Sequence, residues 1–287
     1  MNPSLSPNPV TDVRELLTFP FMVSALEAGT LVALVAAVTG WYMVLRRQAF
    51  AGHTLSVMAF PGATGAALAG LPTALGYYLA CGIAALAIGR SGAAPRRGQG
   101  RETATIGTVQ TVGLAAGFLF LSLDNGVLGG PETLLFGTFL GITRGQVLAL
   151  ALVALAVVIV LGLVGRPLLF ATLDRDVARA RGVPVAALDA CFLLVLALAV
   201  AATSQITGAL LVFALLVAPP ASAQLLTSRP VAGLALSVAF ALCIVWLGLG
   251  IAYFSVYPVG FFMTTFGFGL YVTLRLARAG HRRRAAR

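Results

Sequence analysis

Long unbroken apolar runs, separated by short polar breaks, make up most of the chain. The runs 20–45, 53–70, 72–89, 105–123, 146–165, 185–203, 206–226, 232–252 and 257–276 are each close to the length of a membrane crossing, which takes about 20 residues at roughly 1.5 Å rise across a 30 Å hydrocarbon core. The apolar positions are continuous rather than alternating. In hydrocarbon only helices and closed barrels satisfy the backbone, so the pattern predicts helices. The expectation is an all-α polytopic membrane protein with nine crossings, or eight if 53–70 or 72–89 does not cross fully. Leu134–Ile142 is apolar but too short to cross and reads as a re-entrant or interfacial piece. Residues 1–19 are read as an N-terminal interfacial segment, 20–277 as the transmembrane domain, and 278–287 as a basic tail.

Composition supports that reading. Of 287 residues 59% are hydrophobic and 10% charged, with a mean hydropathy of +0.97; soluble domains carry about 25% charged residues. Every basic residue is arginine. With nine crossings, all of these arginines except Arg14 and Arg144 fall on one side of the membrane. The positive-inside rule makes that side cytoplasmic, so the tail is cytoplasmic and the N-terminus lies outside. The formal charge of +10 is therefore read as topology and not as a nucleic-acid surface, because the arginines are spread over loops and no basic soluble domain is present.

The chemistry is sparse. No cleavable signal peptide is evident; Asp12 and Glu15 are spaced as a capping box for a short interfacial helix. Cys81, Cys191 and Cys243 sit singly inside apolar runs and suit packing better than a disulfide or zinc framework. No phosphate loop of the G-x-x-x-x-G-K-[ST] type occurs, so the chain does not itself bind ATP in the usual way. No catalytic constellation is present, and no enzyme activity is expected. Glu27 is the one acidic residue well inside a predicted span, and an ionisable group there is a functional candidate. It lies roughly 28 Å along the helix from Arg46, near the outer end of the first span. Pro61 with Gly62, and Pro219 with Pro220, interrupt apolar runs; such breaks either line a transport path or simply kink the helix. The small-residue stretches Gly62–Ala67 and Gly113–Gly117 suit close helix packing.

Arg166–Pro184, between the fifth and sixth spans, is the one cytoplasmic stretch long enough to form a helix between spans. Asp174 is placed to cap it, Ala178 is small enough for a partner to approach closely, and Gly182 and Pro184 end it.

Three segments together resemble the permease family of zinc and manganese ABC importers. Met43–Gly52, reading M-V-L-R-R-Q-A-F-A-G and followed by Pro61-Gly62, is similar to the family's span ending in V-L-R-R. Leu173–Pro184 resembles its D-x-x-x-A-x-x-x-G-[VI] element. Gly208–Ala223 resembles its G-x-L-L-V-x-A-L-L-I-x-P-A-x-T-A stretch. The resemblance covers roughly residues 20–275. It implies a permease that docks a separate ATP-binding cassette ATPase, receives substrate from an extracytoplasmic solute-binding protein, and pairs with a second permease copy or a sister chain. ATP then acts on the partner, no cofactor is bound permanently, and a divalent metal is the transported substrate. It also implies that Asp174, Ala178 and Gly182 belong to the ATPase-docking element; the alternative is a helix lying on lipid headgroups through Arg175, Arg179 and Arg181. The family's second span opens G-D-x-L-S-H, with the Asp and His as metal ligands. This chain has His53 at the aspartate position and Val57 at the histidine position. His53 is thus the expected ligand, with Glu27 as a second metal candidate; His53 otherwise reads as a wetted or cap-bonded residue. Imidazole suits zinc or another first-row metal. A chelate or other small solute, an ATPase-independent secondary transporter, and an intramembrane enzyme remain as alternatives. The last two call for internal hydropathy symmetry and for a clustered polar site at depth, respectively, and the sequence displays neither.

Overall fold

The computed structural model describes residues 15–92, 99–123, 131–137, 139 and 141–285. Expectations resting on Asp12, Arg14, Arg96, Arg97 and Arg287 lie outside them. The described residues form helices and no strand. In chain order these are α1 (Pro20–Leu45), α2 (Ala49–Leu68), α3 (Thr73–Gly92), α4 (Gln99–Leu123), α5 (Pro131–Phe136), α6 (Arg144–Leu173), α7 (Arg175–Ala180), α8 (Val185–Leu226), α9 (Pro230–Tyr253) and α10 (Val259–Ala285).

Among the described residues, seven helices are long and apolar enough to cross a membrane: α1, α3, α4, α6, α8, α9 and α10. Two features account for the difference from the nine runs in the sequence. First, α2 has 20 residues, but His53, Thr54, Ser56, Pro61, Thr64 and its glycines lower its hydropathy. It lies among α3, α4 and α8, and a helix wrapped in protein has no need of a lipid-compatible surface. Second, the runs 185–203 and 206–226 join into α8, 42 residues long.

A straight helix of that length would reach about 63 Å, twice the hydrocarbon core. Instead α8 reverses. Near its start Asp189 pairs with Arg46; near its end Gln224 Nε2 donates to the Trp41 carbonyl, 3.1 Å away. Both partners belong to the C-terminal end of α1, so both ends of α8 lie at the same, arginine-rich end of the bundle. The reversal occurs at Gly208, whose φ of 76° and ψ of 161° are non-helical. The short apolar piece seen in the sequence closes over this turn. After α5 the chain passes Gly137 at φ 72°, and a Cβ on Gly208 would stand 2.3 Å from the Gly137 nitrogen and 2.5 Å from the Leu135 carbonyl oxygen. Only glycine fits this conformation and this contact.

The bundle centre is α1 and α8, with 56% and 61% of their crossing windows buried, against 17% to 22% for α4, α6 and α10. The two central helices meet where Gly40 faces the Leu216 carbonyl oxygen, 2.2 Å from where a Cβ would sit. Pro220 has no N–H to offer its fourth predecessor, which is Leu216. The proline thus strips a carbonyl of its helical donor at the spot where α1 approaches most closely. On the other side of α1, Ser237 Oγ donates to the Ala37 carbonyl at 3.2 Å, and Trp246 Nε1 to Thr30 Oγ1 at 3.0 Å, joining α9.

Gly208→Ala is expected to destabilise the protein by on the order of 1–3 kcal/mol from backbone strain alone. Gly40→Ala should also lower the melting temperature in detergent, because the new methyl meets backbone. Gly82 in α3 has nothing within 4 Å of its Cβ position, so Gly82→Ala should leave melting unchanged or raise it by up to ~1 kcal/mol. Thermal melts of the three purified variants check all three.

Candidate functional site: a buried histidine and an outward-facing helix

His53 sits in the second turn of α2, half-buried. Its ring stacks obliquely on Phe213 of α8, centroids 4.6 Å apart and planes at 58°. Its Nδ1 is buried and has no hydrogen-bond partner among the described residues. One turn further along α2 is Val57, whose carbonyl loses its helical donor because Pro61 stands four residues on. The imidazole and the freed carbonyl thus belong to successive turns of α2. Thr54, fully buried beside His53, donates from Oγ1 to Gln110 Oε1 of α4 at 2.9 Å.

Glu27 is not part of this site. It is exposed on α1, in the half remote from Arg46, roughly 28 Å along the helix from the turn that leads to α2. The structure does not bring Glu27 and His53 together. Among the described residues no group of three or more His, Cys, Asp or Glu side chains converges. A cavity of about 290 Å³ between α3, α6 and α8 is lined by Tyr78, Thr143, Gln146 and Gln205, and it holds none of the residues singled out in the sequence.

The pairs Pro61-Gly62 and Pro219-Pro220 lie in helices that stay continuous around them. Gly62 packs: a Cβ there would fall 2.3 Å from the Gly76 carbonyl oxygen, so it lets α2 and α3 touch backbone to backbone. Pro219 and Pro220 are buried inside a stretch of α8 that stays helical, and the break lies at Gly208 instead. Pro61 likewise leaves α2 continuous. A proline removes one donor, and a helix held on several sides by neighbours absorbs that loss.

The helix expected between spans is α7. Asp174 Oδ1 accepts from the Asp176 and Val177 nitrogens, both at 3.0 Å. Gly182, at φ 78°, ends the helix; its N–H bonds the Arg179 carbonyl at 2.9 Å and that of Val183 bonds Ala178 at 3.0 Å, a Schellman closure. Ala178 differs from the expectation. It is fully buried, so its small size serves packing against the chain itself and not the approach of a partner. The outward apolar side chains are Leu173, 80% exposed, just before α7, and Val177 within it, while Arg175 turns to Asp189 and Arg179 to Asp176.

Sequence reasoning missed the group that anchors this region. Arg46, with a side chain 5% exposed, forms an ion pair with Asp189 at the start of α8. It also donates to Thr172 Oγ1 at the end of α6, 3.1 Å, and to Gln48 Oε1, 3.2 Å. Its guanidinium lies over the Phe192 ring, 5.2 Å from the centroid. The second oxygen of Asp189 takes Arg175 of α7. In the sequence Arg46 stood as a topogenic charge and as part of the V-L-R-R stretch, and nothing local links it to Asp189, 143 positions away.

The fold is a helical membrane bundle built round α1 and the reversing α8, with a capped helix outside the long spans. Residues 18–277 match the ABC 3 transport family, and the chain belongs to that family. It is 31% identical over 242 residues to the manganese transport system membrane protein MntC of Halalkalibacterium halodurans, covering 84% of this chain and 81% of that one. It is 33% identical over 250 residues to the chelated iron transport system membrane protein YfeC of Yersinia pestis, covering 86% and 83%. Its fold matches a chain of PsaBC from Streptococcus pneumoniae, solved in complex with a Fab, at a TM-score of 0.82 and 22% identity over 93% of this chain and 95% of that one. The protein is thus a multi-pass plasma-membrane permease of the ABC transporter class.

Asp189→Ala is expected to cost about 3–5 kcal/mol, because it leaves the Arg46 charge buried without a partner. Asp174→Ala should cost about 1 kcal/mol by uncapping α7. Asp176→Ala, at a side chain 96% exposed, should melt like the wild type. Ala178→Trp would overpack the chain itself, so Val177 is the position at which to probe the outer face.

Proposed function

We propose that this permease moves a first-row divalent metal cation inward, by alternating access driven by a separate ATP-binding cassette ATPase. Membership of the ABC 3 transport family supports the ATP-driven class. The observation that carries the substrate reading is the buried, unpartnered Nδ1 of His53. A neutral imidazole nitrogen left open at depth is expensive unless a ligand completes it, and imidazole is a donor for iron, zinc and related ions. The named relatives transport manganese and chelated iron, which puts those two metals ahead of zinc. His53 supplies the nitrogen donor, the Val57 carbonyl an oxygen donor, and Phe213 a wall that keeps the ring in place. Glu27 serves at most as an outer carboxylate that an arriving cation meets.

The partners follow from the same reading. The exposed Val177 of α7, with Leu173 just before the helix, docks the ATPase at the cytoplasmic side, with Asp174 and Gly182 fixing the two ends of that helix. A solute-binding protein delivers the metal at the opposite end, and two permease copies enclose the path. The C-terminal tail is cytoplasmic, as the arginine asymmetry requires.

His53→Ala is expected to lower manganese(II) and iron(II) uptake by metal-starved cells at least tenfold, while membrane abundance on immunoblots stays at the wild-type level. Wild-type uptake of both ions in that variant would remove His53 from the path. Val177→Asp should abolish co-purification of the ATPase while the permease still inserts; full recovery of the complex would favour the reading of α7 as a headgroup-bound helix.

A further inference from the structure

Resting on the reading of α7 as the docking helix, we propose that Asp189 is a two-armed latch, whose Arg175 arm is the contact that opens and closes as the docking helix moves against the bundle. The carboxylate is shared. One oxygen faces Arg46, the other Arg175, and the two arms differ sharply in environment: the Arg46 side chain is 5% exposed, that of Arg175 52%.

That asymmetry assigns the roles. A desolvated guanidinium without its counter-charge is strongly destabilised, so the Arg46 arm stays closed. A half-exposed pair is screened by water and salt, contributes little net stability and exchanges readily for solvent. The exposed arm therefore yields first when α7 is displaced. The hinge for that displacement is built in, since α7 joins α8 only through Arg181–Pro184, with Gly182 in the left-handed region and a Schellman turn that leaves no helix to bend.

The buried arm leads toward the candidate metal site. Arg46 is the C-cap of α1, and the turn that follows is tightly constrained. Arg47 lies at φ 58°, its N–H bonds the Val44 carbonyl at 3.1 Å, and the Gln48 N–H bonds Met43 at 3.0 Å. This places a non-glycine residue in the left-handed position of a Schellman closure, a strained choice that its surroundings must hold. Arg46 Nε on Gln48 Oε1 holds it, and α2 starts at the next residue, with His53 one turn on. The chain from docking helix to His53 is thus Arg175, Asp189, Arg46, Gln48, then α2: two ion pairs, one hydrogen bond and a helix.

A single nitroxide tests the latch. It is placed at Ala180→Cys, on α7, in a chain whose Cys81, Cys191 and Cys243 are alanine, assembled with its ATPase in lipid nanodiscs. In the otherwise unchanged permease the label should be slow without nucleotide and fast after trapping with ATP and vanadate. Arg175→Gln should be fast in both states, and Arg175→Lys should restore the nucleotide-dependent change. In proteoliposomes loaded by manganese(II) uptake, Arg175→Gln should hydrolyse ATP within twofold of wild type but import at least fivefold less metal per ATP. A label that changes with nucleotide in Arg175→Gln as it does in wild type would overturn the latch, and so would loss of the ATPase from that complex, which would make Arg175 a docking contact. A wild-type complex that moves no manganese would count against the substrate reading alone, because the spectra report on the latch without metal. Failure of the wild-type permease to bind the ATPase would count against the docking reading itself.

Discussion

The guanidinium of Arg46 is almost stripped of water, and its counter-charge must be close by for the fold to stand. Meeting that demand brings together the end of α1, the end of α6 through Thr172, and the start of α8 through Asp189 and Phe192. These elements are remote in sequence, Arg46 and Asp189 being 143 positions apart. Between them they fix one end of α1 and α8, the two most buried of the crossing helices. Once both ends of α8 are held beside the end of α1, its 42 residues have to fold back, and the Gly208 turn under α5 is the place where they do so.

The same constraint explains how glycine and proline are spent. Where α1 and α8 cross, Gly40 removes a side chain and Pro220 removes a donor, so that the Leu216 carbonyl can face the opposing backbone. Gly62 and Gly76 repeat the device between α2 and α3, each Cβ position lying within 2.3 Å of the other's carbonyl oxygen. In lipid no hydrophobic effect drives one helix onto another, so close backbone approach of this kind is a main source of cohesion. Pro220 is part of that packing.

What the sequence made legible was whatever depends on short range. The helical class and the ends of α7 are set by hydropathy and capping, each readable within a few residues. Asp174 caps and Gly182 terminates as their residue types require. Facing was not legible. Ala178 on a six-residue helix has no periodic pattern to reveal which side turns inward, and it turns inward. Pairing was not legible either, because an arginine at the end of a span satisfies the topology rule whether it is wetted or buried against an aspartate half the chain away. The two runs of α8 were read as separate spans. The polypeptide does reverse between them, but through one glycine and not through a loop.

The helix with the weakest claim to be a span is the one that carries His53 and most of the buried hydroxyls near it, and the two facts have one cause. A crossing helix that faces lipid must be apolar on that face, which leaves little room for imidazole, hydroxyl or amide groups. Set among α3, α4 and α8, α2 is released from that requirement. Its Thr54 can then reach Gln110, its Thr64 can bond back to the Phe60 carbonyl at 3.1 Å, and its His53 can keep a ring nitrogen uncommitted against Phe213. Low hydropathy inside an otherwise very apolar chain therefore marks a helix shielded by protein. In a permease, that is the helix free to carry polar groups toward a charged cargo.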